Sequence, residues 1–118
     1  MAFDAIVQNT VKYGFSVNAY DADLSGCEPI LAAVTGKSIY LEHIMISCAS
    51  GITVTIGEGE TASAVTTVLL GPIVFTAAGS NFMDVHFQRP IQLTAATALT
   101  ADASGAGAVT ILAEGYVQ

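Results

Sequence analysis

The stretch TALTADASGAGAVTILAEGYVQ, residues 97–118, sets two architectures against each other. Its Gly105-Ala106-Gly107 has the spacing of a loop that cradles a phosphate, and also of a tight reversal between strands. A phosphate loop leads from a strand into a helix whose amides point at the anion. After Gly107 the chain reads AVTILAEGYV, which is β-branched and alternating, with no Lys or Ser/Thr placed to meet a phosphate or its metal. The stretch therefore predicts a hairpin reversal between the last two strands. On this reading Gly105→Ala disturbs folding or assembly and leaves no catalysis to abolish.

The same period of two runs through most of the chain. Ile52, Val54 and Ile56 alternate with Thr53, Thr55 and Gly57, and Met83, Val85 and Phe87 with Asp84, His86 and Gln88. Helix-period stripes are absent. Expected strands lie near 30–35, 38–48, 51–57, 65–70, 73–77, 82–88, 91–95, 97–102 and 108–116. So many short strands point to an all-β, antiparallel β-sandwich, with a jelly roll as the leading topology. One strand breaks its own pattern. In SIYLEHIMISC (residues 38–48), Ile39 and Leu41 share one parity while Ile44, Ile46 and Cys48 share the other. Either a β-bulge near Glu42-His43 swaps the faces, or the strand is buried on both sides; the bulge is the expectation.

Residues 1–28 differ in character, with four of the ten acidic residues and weaker alternation. They read as an N-terminal arm or early strand, packing on the sandwich edge or on a neighbouring subunit, beside a β-sandwich domain over 29–118.

Bulk composition limits the partners. Three Lys+Arg against ten Asp+Glu leave a net charge of -7, and Lys12, Lys37 and Arg89 are scattered singly. Nucleic acid and anionic membrane surfaces are excluded on charge. Only 11% of residues are charged while 53% are hydrophobic; soluble domains average roughly 25% charged. So much apolar material asks for burial against copies of the chain or a larger assembly. No secretory signal and no membrane-length apolar run is visible, which predicts synthesis in a cytoplasm. Cys27 and Cys48 are expected free and buried.

Candidate chemistry is sparse. DADLSG (residues 21–26) opens like a calcium loop, but its twelfth position, where a bidentate carboxylate closes the shell, is Ala32. Asp21 and Asp23 are thus candidates for no more than a weak cation site, against a solvated Asx-type turn. GEGET (residues 57–61) reads as a wet hairpin tip, with Glu58 and Glu60 as turn residues and not an acid/base pair. His43 falls in an apolar strand as a packed or bulge residue. His86 shares an outward polar stripe with Asp84 and Gln88. Neither histidine adjoins a nucleophile motif, and no three-ligand metal cluster is spaced along the sequence. No cofactor and no catalytic residue are expected.

Three runs carry a family likeness: ILAAVTGKSIYLEHIMIS (residues 30–47), LLGPIVFTAAGS (69–80) and RPIQLTAATALTADASGAGAVTILAEGYV (89–117). Their strand spacing, Gly-Lys-x-Ile start, aliphatic Gly-Pro turn and Pro-Ile-x-Leu to Ser-Gly-Ala-Gly finish resemble the small β-sandwich virion proteins of tailed bacteriophages. These are the head-decoration or cement proteins and related head- or tail-attached domains. The resemblance implies a homotrimer seated on the major capsid protein in the virion, with an arm reaching the shell and no enzymatic activity. Two alternatives stand beside it. A fibre- or tail-attached receptor-binding module gripping a host glycan would show aromatics at loop tips. A small hydrolase or isomerase would gather His43 or His86 with carboxylates in a pocket.

Overall fold

A computed structural model describes residues 12–21, 24, 26–76, 81–105 and 107–118. Eight strands run in the order β1 (Tyr13–Asp21), β2 (Glu28–Leu31), β3 (Ile39–Cys48), β4 (Thr53–Thr61), β5 (Ala64–Val74), β6 (Asn81–Gln92), β7 (Leu99–Ala103) and β8 (Val109–Val117). They form two antiparallel four-stranded sheets, ordered β1-β8-β3-β6 and β2-β7-β4-β5. Strands β1 and β8, β2 and β7, β3 and β6, and β4 and β5 are hydrogen-bonded neighbours. The chain thus behaves as one long hairpin, doubled back at β4–β5 and wound over both sheets. No helix occurs among the described residues, so none is long and apolar enough to cross a membrane.

The alternation places the core. Val109, Ile111, Ala113, Gly115 and Val117 of β8 face inward, and Thr110, Leu112, Glu114 and Tyr116 face out. Ile39, Leu41, Ile44, Ile46, Val54, Ile56 and Leu99 meet them between the sheets, each with essentially no exposure. Burying a side chain of this size contributes about 1.5–3 kcal/mol. Phe15, Val17 and Ala19 bring β1 onto the same core. Cys27 and Cys48 are free and buried, and burial pushes both thiols up.

The parity break in β3 is a bulge. Leu41 pairs with Gly115 and His43 with Glu114, so Glu42 is the extra residue against β8. Before it Ile39 and Leu41 point inward; after it Ile44, Ile46 and Cys48 do, and Glu42 itself is exposed.

Several turn expectations need correction. ASGAGAV joins β7 in one sheet to β8 in the other, so it is a crossing between sheets and not a hairpin reversal. Ala106 lies outside the described residues. A Cβ on Gly105 would meet nothing nearer than 4.0 Å, and its φ is not among the positive ones. Gly105→Ala should therefore change stability by no more than about 0.5 kcal/mol, read by thermal or urea denaturation.

GEGET is not a hairpin tip either. It lies at the end of β4, and the reversal falls at Ala62-Ser63, where both φ angles are positive and Thr61 pairs with Ala64. That is the two-residue turn that suits the twist of paired strands, reached here without Asn or Gly. Two pairs of expected strands also fuse. Runs 65–70 and 73–77 become β5, which passes through Gly71-Pro72 with register shifts between Val54 and Gly57 of its partner. Runs 82–88 and 91–95 become β6, in which Phe87–Pro90 bow out opposite Glu42. Proline interrupts a ladder without ending a strand when it sits at an edge, and β5 and β6 are both edge strands.

Within residues 1–28, Tyr13–Asp21 form edge strand β1, paired with β8 over nine positions. The preceding residues 1–11 lie outside the described ones.

Candidate functional site

The outer face of the β1-β8-β3-β6 sheet carries a polar row that crosses every strand. Ser16 of β1 pairs with Glu114 of β8, Glu114 with His43 of β3, and His43 with His86 of β6. Asp84 sits two residues from His86 on the same face of β6. The bulge at Glu42 puts His43 in this row: if β3 ran through Glu42 as a regular strand, the parity of Ile39 and Leu41 would continue and turn His43 into the core.

His43 is held at both ends. Its Nδ1 lies 2.7 Å from Glu114 Oε1, and its Nε2 meets Asp84 Oδ1 in a short contact. A protonated His43 donates from both ring nitrogens and so bridges β8 and β6. The Glu114 hydrogen bond is the main cause that raises the pKa of His43. The same bond lowers the pKa of Glu114, whose other oxygen accepts from Ser16 Oγ at 3.3 Å. The ring of His86 lies flat against that of His43, centroids 3.8 Å apart, and its Nε2 is 3.7 Å from Asp84 Oδ1.

This arrangement has a defined chemistry. A hydrolytic triad needs a nucleophile bonded to a histidine nitrogen. Here Ser16 donates to the carboxylate, and neither His43 nitrogen is free to take its proton. His43 and His86 do gather with Asp84 and Glu114, as the enzyme alternative requires. They gather on an open sheet face, and none of them lines the cleft beside β1 or the recess at Glu58 and Glu60.

The bridge makes stability depend on pH, measured in chelator so that only protons compete. A raised histidine pKa gives stability that is complete below the ordinary value of 6.5 and is lost as pH rises through the folded value. A lowered Glu114 pKa gives stability present above the ordinary 4.5 and lost as pH falls through the folded value. The bridge is therefore complete between about pH 4.5 and 6.5. Thermal melts across pH 4–9 should show the wild type losing stability on the alkaline side relative to His43→Gln. Parallel profiles for the two proteins would refute the bridge.

The remaining candidates lie elsewhere. Asp21 closes β1 beside a cleft of about 80 Å³ lined by Tyr20, Leu24, Glu28, Ile30 and others. The Asp21 carboxyl hydrogen-bonds that of Glu28 and thereby raises the Glu28 pKa, with burial adding to it. Asp23 lies outside the described residues. Glu58 is only 8% exposed. Its oxygens accept from Thr94 N at 2.6 Å and Thr94 Oγ1 at 3.0 Å, which ties β4 to the loop after β6. Glu60 is exposed, and both glutamates border a recess of about 290 Å³ with Thr66, Thr67, Thr94 and Thr97. Glu58 is thus a buried loop anchor and not a wet turn residue. Glu58→Ala should cost about 2 kcal/mol in denaturation, because it leaves a loop amide and hydroxyl without their acceptor.

Aromatics also sit on strands. Tyr40 and Tyr116 stack at 4.8 Å on the outer face, and Lys12 lies over the Tyr116 ring. Tyr13 and Tyr20 belong to β1. Sequence reasoning found the His86–Asp84–Gln88 stripe and the bulge, but not Glu114 as the partner of His43. Compared with known proteins, the sequence matches no protein-family model and no curated protein.

Proposed function

We propose that the protein is a viral structural protein. It acts as a head-decoration or cement protein of the tailed-bacteriophage kind, binding the assembled head as a homotrimer and stabilising it through repeated apolar interfaces. The observation that carries this reading is large apolar side chains standing in the open on strands. Tyr20 is 66% exposed, Phe82 58% and Val74 76%. Tyr20 and Phe82 stand at opposite ends of one cross-strand row through Thr110 and Ser47. Half-buried Leu112 and Met45 lie in the next row. A charge-poor surface of this kind suits close packing against capsid subunits and copies of the chain.

The strand order supports a jelly-roll reading of the sandwich, since an eight-stranded double Greek key pairs its ends inward in this way. A non-catalytic role is supported by the separation of the histidines from both clefts. Neither the cleft of about 80 Å³ beside β1 nor that of about 290 Å³ at Glu58 and Glu60 is lined by His43 or His86. The net charge of -7 supports protein partners, the major capsid protein first, over nucleic acid or anionic membrane. The protein would be made in the host cytoplasm and reside in the virion.

Size-exclusion chromatography with light scattering should give three times the 12.1 kDa chain mass, and the protein should co-sediment with heads lacking it. A monomer at all concentrations that leaves heads in the supernatant would overturn the proposal. Glycan-array binding with no head retention would move the reading to a receptor-binding module.

A further inference from the structure

We propose that His43, Asp84 and His86 form a site for one divalent transition-metal ion of the zinc type, with Glu114 as the positioning residue for His43. The site lies on the outer face of the β1-β8-β3-β6 sheet, where Asp84 ends the row of Leu112 and Met45. One ligand atom from each of the three residues lies within 4.8 Å of the other two. Two imidazoles and one carboxylate are a donor set for Zn²⁺, Co²⁺, Ni²⁺ or Cu²⁺, whereas Ca²⁺ and Mg²⁺ ask for oxygen shells.

The spacing fits after one exchange. Zinc ligands at about 2.0–2.2 Å from the ion stand roughly 3.3 Å apart. His86 Nε2 and Asp84 Oδ1, at 3.7 Å, are near that separation. His43 Nε2 meets the same Asp84 oxygen through a proton. When the ion enters, that proton leaves to solvent, and nitrogen and oxygen part to become two ligands of one metal. The His86 ring, 72% exposed, is free to tilt out of its stack and converge on the ion.

A second observation, independent of the three ligands, points the same way. Metal-bound histidines characteristically donate the other ring nitrogen to a carboxylate, which sets the tautomer and the ring direction. His43 does this at 2.7 Å with Glu114, and Ser16 in turn hydrogen-bonds Glu114. Side chains from β1, β8 and β3 thus form a chain of orientation ending at His43 Nε2, the atom facing Asp84 and His86. Only 12% of the His43 side chain is exposed, so its ring is fixed by packing as well. Three protein ligands leave the fourth position of a tetrahedral ion open.

The test uses the full-length, tag-free chain stripped with EDTA. Calorimetric titration with ZnCl₂ should give one ion per chain at micromolar or tighter Kd. At a hundredfold excess over Kd the thermal midpoint should rise by roughly 5–10 °C and return on chelation. Co²⁺ should give the intense visible bands of a tetrahedral site. His86→Ala, on an exposed side chain, should fold normally in EDTA, weaken Zn²⁺ binding at least tenfold and abolish the Co²⁺ bands. Asp84→Asn should do the same without a change of size. Glu114→Gln should keep the tetrahedral bands while weakening affinity about 10–100-fold. Absence of saturable Zn²⁺ binding would overturn the site, as would His86→Ala or Asp84→Asn binding like the wild type, or Mg²⁺ competing equally. Glu114→Gln with unchanged affinity would remove the positioning role.

Discussion

Deleting Met45 should leave the chain unable to fold, while deleting Glu42, three residues earlier, should leave it folded. Glu42 is the extra residue of β3 against β8, and its side chain is exposed. Without it Leu41, His43 and Ile44 follow in strict alternation. Ile39, Leu41, Ile44, Ile46 and Cys48 then keep one inward face, and His43 still faces out opposite Glu114. The cost is confined to the backbone at the bulge, and Glu42→Ala should stay within about 0.5 kcal/mol of wild type. Met45 is an ordinary member of the alternation, facing out between Ile44 and Ile46. With the bulge kept, its deletion turns Ile46 and Cys48 outward. With the bulge given up, Ile44 enters water and His43 enters the core without its carboxylate partners. Each large apolar side chain is worth about 1.5–3 kcal/mol, and a buried polar group without a partner costs further. Such losses approach the total stability of a domain, about 5–15 kcal/mol. Strand β3 is central in its sheet, so the ladders to β8 and β6 are both disturbed. The Met45 deletion should be insoluble or melt without a cooperative transition. A Glu42 deletion as damaging as the Met45 deletion would refute the role assigned to the bulge.

The same segment shows how far the sequence could be read. Parity alone locates the bulge to within a residue, because a single inward face for Ile39, Leu41, Ile44 and Ile46 requires one extra residue between Leu41 and Ile44. Two sheets of alternating strands were equally accessible, as was the outward stripe Asp84–His86–Gln88. The partner of His43 was not. Glu114 lies 71 positions away, and becomes its neighbour only once β3 is known to run between β8 and β6. Strand order is a property of the wound hairpin, and alternation within each strand is silent about it. The misread turns have a related cause. Glycine-rich GEG and SGAG look like reversals locally, yet the chain turns tightly at Ala62-Ser63, which has no glycine, and crosses between sheets at Gly105. Glycines at Gly57 and Gly115 serve close approach between strands, a need set by the neighbouring backbone and invisible in a local window.

Gly115→Ala should be the most damaging single methyl that can be added to β8. Gly115 points inward between Ala113 and Val117 and pairs with Leu41, beside the bulge. A Cβ there would overlap the carbonyl oxygen of Tyr40 and stand 3.2 Å from the amide nitrogen of Glu42. Both obstacles are backbone, so no rotamer change relieves them; β3 and β8 must separate where the bulge already thins their ladder. Overpacking a core costs about 1–3 kcal/mol when side chains can yield. Here ladder hydrogen bonds are lost as well, and about 3 kcal/mol or more is expected. For a chain of this length that lowers the thermal midpoint by roughly 10 °C or more. Gly105→Ala, the same chemical change ten residues earlier, should be near neutral, which separates steric overlap from any general intolerance of added methyls. The damage should also reach the polar row. Glu114 is the adjacent residue of β8, so a displaced strand lengthens its contact with His43, and the alkaline loss of stability should shrink in Gly115→Ala. An unshifted midpoint would mean that β3 and β8 are not in contact at this register, and the placement of Glu114 against His43 would fall with it.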